Sequence, residues 1–298
     1  MKNNHSIMKW AGLLSIAAIL MVSAINCAKE PTAPVGDTTE TIVTRTTETP
    51  ANQDVILATT TSVQDTGLLD VLTDIFKKAT GYKIKAIAVG SGEAMAMGKR
   101  GDADVLLVHS PKDEEAFMAE GFGKSRELLI TNYFSLVGPE EDPSGCAGST
   151  TAKEAFVKIA NKQAIFVSRG DNSGTHKKEL SIWKSANITP TGEWYIQAKA
   201  GQAILLQVTN EKRGYALTDR ATYLAFKSKL ALKELLGKDE SLLNKYSVIV
   251  LNPDKFPKAN LVGAEAWAKF LLEPATLKII GEYGKDKYGE ALFYPVSK

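Results

Sequence analysis

Phe166-Val167-Ser168-Arg169-Gly170-Asp171-Asn172-Ser173-Gly174-Thr175-His176 is the stretch on which the fold turns. An apolar run, Ala164 to Val167, leads into it, and a helical pattern, Lys177 to Ser185, follows it. It reads as strand, polar loop and helix start. Its glycines let the backbone approach a ligand closely. Its hydroxyls and the free N–H groups of a helix start suit an anion. Arg169 adds a full charge and a planar fork of donors. From the loop alone, a helix cap with a solvated Arg169–Asp171 pair fits equally well. Asp171 is read as the orienting partner of Arg169 rather than as a ligand contact.

The same theme recurs on both sides. Upstream, Val55 to Ala58 is a short apolar strand running into Thr59-Thr60-Thr61-Ser62, and a helix with Leu68, Leu69, Leu72, Ile75 and Phe76 on one face ends at Gly81. Tyr82 to Val89 alternates as a strand, meets Gly90-Ser91-Gly92-Glu93, and passes into a helix from Ala94 to Lys99. Asp104 to Val108 is a third strand and Pro111 to Glu120 a third helix. Downstream, Gly201 to Lys212 is helical, Gly214 to Leu217 a strand, and Thr218-Asp219-Arg220-Ala221-Thr222-Tyr223 opens another helix. Leu230 to Leu243 reads as helix and loop. Tyr246 to Leu251 is a strand, and two helices, Gly263 to Leu272 and Ala275 to Tyr283, close the chain.

Such alternation predicts an α/β protein with mostly parallel sheets flanked by helices, its ligand beyond the carboxyl ends of the strands. Two lobes are expected: residues 55–139 with 248–298, and residues 140–247. The apolar runs Leu128–Val137 and Tyr246–Leu251 are the two strands expected to cross between them.

The 298 residues carry a formal net charge of +2, with 44% apolar and 23% charged residues. That balance argues for a globular protein and against nucleic acid as a partner. His5, His109 and His176 are scattered and show no zinc spacing.

The first 26 residues read as an export signal. Lys2 and Lys9 precede an apolar run, Trp10 to Ala24, short for a spanning helix. The run ends in Ala24-Ile25-Asn26-Cys27, which looks like a lipoprotein cleavage site with Cys27 as the lipidated residue, although Asn26 stands where Gly, Ala or Ser is usual. A plain secretory signal or an uncleaved anchor also places the protein outside the cytoplasm. Residues 27–54, rich in Thr, Pro and Glu, read as a disordered tether. Cys146 then has no partner for a disulfide.

Thr59–Ser62 and Ser91–Gly92 offer neutral donors, and Ser168, Arg169, Ser173 and Thr175 offer neutral and charged ones. The set fits a small, fully ionised oxyanion. A protonated phosphate also needs an acceptor, which Asp65, Glu93, Asp171 or Asp219 is able to supply. Ser62-x-x-Asp65 has the form of a capping box, and Ser91 also reads as a cap. Asp219–Arg220 reads as a surface pair or a brace between elements. Gly92 to Lys99 fails as a phosphate-binding loop, since five residues rather than four precede Gly98-Lys99 and Arg100 replaces Ser or Thr. His176 reads as a solvated or capping residue. No catalytic triad or metal-ligand set is present in the pattern, which argues against an enzyme.

Five motifs occur in order: Thr59-Thr60-Thr61-Ser62-Val63-Gln64-Asp65-Thr66-Gly67, Gly90-Ser91-Gly92, Asp102-Ala103-Asp104-Val105, Val167 to His176, and Leu217 to Tyr223. Together they closely resemble the tungstate-binding proteins of bacterial tungstate ABC transporters, over nearly all of residues 55–298. The resemblance implies a two-lobed type II periplasmic-binding fold that holds tungstate, with molybdate as nearest competitor, and needs no cofactor. It implies Thr61, Ser62, Ser91, Arg169, Ser173 and Thr175 as ligand residues, supported by Thr60, Gly92, Ser168 and Asp171. It also implies a monomer that meets a permease and an ATPase on separate chains, and the membrane only through its lipid. Molybdate, phosphate or sulfate as the ligand, and an enzyme acting on a small anion, are the rival readings.

Overall fold

The computed structural model describes residues 50–296. The export signal, Cys27 and all but the last residues of the expected tether lie outside the described residues.

The first unit is β1 (Asp54–Thr60), α1 (Thr61–Gln64), α2 (Leu68–Thr80) and β2 (Lys83–Val89). Gly67 at φ 80° separates the two helices; the sequence reading placed the helix from Leu68 and left Thr61–Gln64 as part of the polar turn. α2 buries Leu68, Leu69, Leu72 and Phe76, and Gly81, also at φ 80°, ends it by donating to the Lys77 carbonyl. Then come α3 (Ser91–Arg100), β3 (Val105–Val108), α4 (Pro111–Ala119) and the long strand β4 (Gly123–Pro139). The next segment holds α5 (Ala152–Lys162), β5 (Phe166–Ser168), α6 (Gly174–Ser185) and β6 (Tyr195–Gln197). It continues through α7 (Gln202–Lys212), β7 (Ala216–Asp219), α8 (Arg220–Phe226) and β8 (Leu232–Leu236). The chain closes with β9 (Leu243–Leu251), α9 (Leu261–Leu272), α10 (Pro274–Glu282), α11 (Lys285–Tyr288) and β10 (Tyr294–Pro295).

The main sheet runs β10-β4-β9-β3-β1-β2, with β7 and β8 also paired to β4. β1 lies parallel to β2 and to β3, whereas β9 is antiparallel to both β3 and β4. The two apolar runs therefore lie side by side, with Ile130 opposite Tyr246. The far half of β4 turns to new partners: Phe134–Val137 pair with β7, and Leu136–Pro139 with β8. β5 and β6 make a separate parallel pair, which a bridge from Phe166 to Tyr215 joins to the strand before α8.

The Leu230–Leu243 reading needs correction. Residues 232–236 form a strand, and Glu240–Leu242 a single 3-10 turn. Leucine favours helix, but β4 offers an unpaired edge and Leu232 is buried against it, so the tertiary partner overrides propensity. Strand β6 also carries no signal that alternation would detect.

One apolar cluster joins Leu57, Phe76, Trp267 and Tyr246 to Val167, Leu205 and Tyr223 from the middle of the chain. A second packs Phe156, Phe166, Trp183 and Tyr215, and a third packs Met95, Leu106 and Phe117.

Candidate functional site

Four helix starts converge. Around Gly90, before α3, a Cβ would lie 3.1 Å from that of Ser173, which caps α6. One on Gly201, before α7, would lie 3.4 Å from the Thr61 side chain at the head of α1. Gln202 of α7 donates to Thr175 of α6 across 2.6 Å. Two glycines make these approaches possible. A Cβ on Gly92 would lie 2.7 Å from the Asn172 carbonyl, and one on Gly174 would lie 2.8 Å from that of His109. The turns of residues 59–110 and those of residues 168–203 thus meet face to face. Neither α1 nor α3 has a side-chain cap at its start, in contrast to α5, α8 and α9. N–H groups and the positive ends of helix dipoles are left to face the same place.

Arg169 sits there, 3% exposed. Its Nε and Nη2 donate to Asp171 Oδ2, the former across 3.0 Å, and the Ser173 N–H donates to Asp171 Oδ1. Asp171 is therefore the orienting partner expected from the sequence. The charge of Arg169 is felt from the opposite turns by Asp65 and by His109.

The direction of each hydroxyl proton follows from its partners. Ser91 Oγ accepts from the His109 N–H, Ser173 Oγ from the His176 N–H, and Thr175 Oγ1 from Gln202 Nε2. Each keeps its own proton to donate. Ser62 differs. Its hydroxyl lies 3.0 Å from Tyr246 Oη and 2.9 Å from Thr60 Oγ1. Tyr246 donates to Asp219, so Ser62 donates to Tyr246 and Thr60 to Ser62. The Ser62-x-x-Asp65 capping box does not form, because Tyr246 takes the hydroxyl and Thr60 is the cap position of α1. Ser91 is likewise the first residue of α3 rather than its cap, which is Gly90. Ser168 turns away and donates to Glu179. Thr61 lies against Gly201 and is partly exposed.

Each of the four carboxylates able to accept from a protonated anion has a protein partner. Asp65 accepts from the Ala203 N–H at the start of α7, and Asp171 holds Arg169. Glu93 is exposed beside Arg100. Asp219 is fully buried and accepts from Tyr246, Asn132, Asn244 and the Thr222 N–H. Burial pushes its carboxyl upward, but so many donors favour the charged form. Asp219 is thus not part of a surface pair, whereas Arg220 does brace elements, bonding Glu234 and Glu290.

His109 is the residue that sequence reading passed over. It stacks on Tyr246 at 4.7 Å between ring centroids, and its Nδ1 lies 3.0 Å from Asn244 Oδ1. Asn244 spends its amide hydrogens on Asn132 and Asp219, so Nδ1 carries the proton. Burial and the Arg169 charge pull the His109 pKa down to about 4, leaving it neutral. The one available signal was a polar residue inside each apolar strand, Asn132 and Tyr246, and their partners lie far away in sequence. His176, by contrast, is partly exposed and accepts from the Asn172 N–H at the head of α6, so it acts as a turn residue. A cavity of about 410 Å³ lined by His109, Phe134, Gly174, Lys177 and Lys245 borders the cluster without containing Ser91, Arg169 or Thr175.

Among the described residues no group of His, Cys, Asp and Glu is placed to hold a metal ion, and no helix is long and apolar enough to cross a membrane. A family model described as a PBP superfamily domain matches residues 45–275. The chain is 43% identical over 288 residues to the tungstate-binding protein TupA of Peptoclostridium acidaminophilum, covering 95% of this chain and 98% of that one. The crystal structure of the tungstate ABC transporter from Geobacter sulfurreducens superposes with a TM-score of 0.71 at 44% identity, over 78% of this chain and 99% of that one. The tungstate-binding protein TupA of Desulfovibrio alaskensis G20 superposes with a TM-score of 0.68 at 42% identity, over 82% and 99%.

Proposed function

The chain belongs to the PBP superfamily and, within it, to the family of tungstate-binding proteins, and from that premise we propose that it binds tungstate and delivers it to an ABC transporter. The observation that carries the reading is the donor set. Ser91, Ser173 and Thr175 keep their protons, Arg169 supplies charge, and the carboxylate beside it, Asp171, is held by Arg169 and the Ser173 N–H. Such a site rewards an ion that only accepts hydrogen bonds. Hydrogen phosphate has to find an acceptor there, and a buried donor without one costs about 1–3 kcal/mol.

Residues 55–139 with 248–298 act as one lobe and residues 140–247 as the other, with β4 and β9 as the crossing strands. In this reading the close approaches of Gly92 to Asn172 and of Gly174 to His109 belong to the shut form. The ion pair of Lys177 with Asp113 spans the same seam. In the open form the ion first meets one lobe; closure then excludes water and strengthens each charge-assisted bond. Permease and ATPase subunits recognise the shut form. An export signal and a lipid on Cys27 place the protein outside the cytoplasm, close to the membrane that holds its transporter.

Calorimetric titration of the domain from residue 50 onward with tungstate, molybdate, sulfate and phosphate tests the reading. Tungstate and molybdate are expected to bind far more tightly than phosphate. Tighter binding of phosphate than of tungstate overturns it.

A further inference from the structure

We propose that Gln202, outside the donor set, is a positioning residue that gives the site its preference for fully deprotonated oxyanions, an inference that rests on the oxyanion-binding reading above. Gln202 is 1% exposed and holds two hydroxyls at once. Its Oε1 accepts from Thr218 Oγ1 across 3.0 Å, and its Nε2 donates to Thr175 Oγ1 across 2.6 Å. An amide is not symmetric: one end only accepts and the other only donates. Thr218 Oγ1 lies 3.0 Å from Gln202 Oε1 and 3.3 Å from the Asp219 carbonyl; with its proton on the nearer acceptor, the chain runs from Thr218 through Gln202 to Thr175. Thr175 is buried and has Gln202 as its protein partner, so its proton is the free end of the relay.

The contrast with Ser62 shows what the amide does. Ser62 sits in an equally buried relay, but that relay ends on the carboxylate of Asp219, and so the Ser62 proton is drawn inward. Gln202 occupies the corresponding place in the second relay and sends the proton outward. A hydroxyl left to itself rotates, donating to one ligand and accepting from another. Gln202 takes one acceptor position of Thr175 and turns its proton toward the ligand. A tetrahedral dianion gains from this, and an oxyanion carrying its own proton gains less, because the Thr175 hydroxyl is held with its proton toward the ion.

Calorimetry on Gln202→Leu and Gln202→Glu, with tungstate and phosphate as the probes at pH 6 and pH 8, tests the assignment. Gln202→Leu releases Thr175, and the ratio of tungstate to phosphate affinity is expected to fall roughly tenfold at pH 6, about the worth of one hydrogen bond. The fall shrinks at pH 8, where phosphate has lost its second proton. Gln202→Glu draws the Thr175 proton inward and weakens tungstate binding by roughly a hundredfold, since a donor is lost and a negative charge is buried beside the ion. In a Thr175→Val background, adding Gln202→Leu leaves the ratio unchanged. If Gln202→Leu does not fold by circular dichroism, Thr218→Val frees the same amide from its other end and is read by the same ratio. A ratio that stays within about twofold of the parent at pH 6, in a folded variant whose parent binds tungstate, overturns the role of Gln202. A parent that binds no oxyanion removes the reading on which it rests.

Discussion

At the scale of single residues, the same side-chain type has opposite uses depending on where its proton goes. Ser62 and Ser91 both sit at the head of a helix beside a strand end, and the sequence does not distinguish them. The structure does, because Tyr246 takes the proton of Ser62 and only an N–H group faces Ser91. Ser91→Ala is therefore expected to weaken tungstate binding by about 1 kcal/mol or more, and Ser62→Ala by clearly less, in parallel titrations. Equal losses would place the Ser62 proton on the ion. Arg169→Ala should weaken binding by at least ~1.5 kcal/mol, the low end for a charge-assisted bond. The Arg169–Asp171 pair was legible because its partners are two positions apart. The Ser62–Tyr246 pair was not, since 184 positions separate them.

At the scale of elements, the strand–turn–helix units were readable because glycines and hydroxyls punctuate the apolar runs. Their edges and later partners were less so. β8 became a strand only because β4, paired with β7 along one edge at Leu136 and Val137, offers its other edge there, which no window of local sequence contains. Asn132 of β4 and Asn244 and Tyr246 of β9 converge on Asp219, at the start of α8, so three elements are pinned to one buried carboxylate. Tyr246→Phe removes one donor from it, and chemical denaturation should show a loss of about 1–3 kcal/mol. Gly92→Ala acts differently. Its methyl group runs into the Asn172 carbonyl, 2.7 Å away, which has no flexible end to yield. Affinity should fall while the melting temperature changes little; a full-affinity variant would mean that this contact plays no part in the shut form.

At the scale of the whole molecule, two buried groups set opposing pH trends. Burial raises the Glu179 carboxyl to about 7, although Ser168, Tyr195 and Trp183 all donate to it. Between its ordinary value of 4.5 and 7, the folded protein holds a proton that the unfolded chain has released. Stability therefore falls as pH rises through that window, by on the order of 3 kcal/mol in total. His109, drawn down from 6.5 to about 4, does the reverse: the unfolded chain holds the proton, and stability rises over that span by a similar amount. The two nearly cancel. Replacing Glu179 with Gln removes the falling contribution, so denaturation between pH 4 and pH 6.5 should show stability climbing more steeply than in the parent. Identical slopes would mean that Glu179 titrates near its ordinary value.

Strand β4 carries one more residue than β9 where the two ladders meet. Leu129 falls between the pairs Leu128–Ser247 and Ile130–Tyr246, and its carbonyl accepts from the Val296 N–H near the end of the chain. A ladder with a spare rung on one rail flexes at that rung. Here the Val296 N–H clasps the rung from outside, so if β4 serves as a crossing strand between two lobes as proposed, that contact is a brake on its bending.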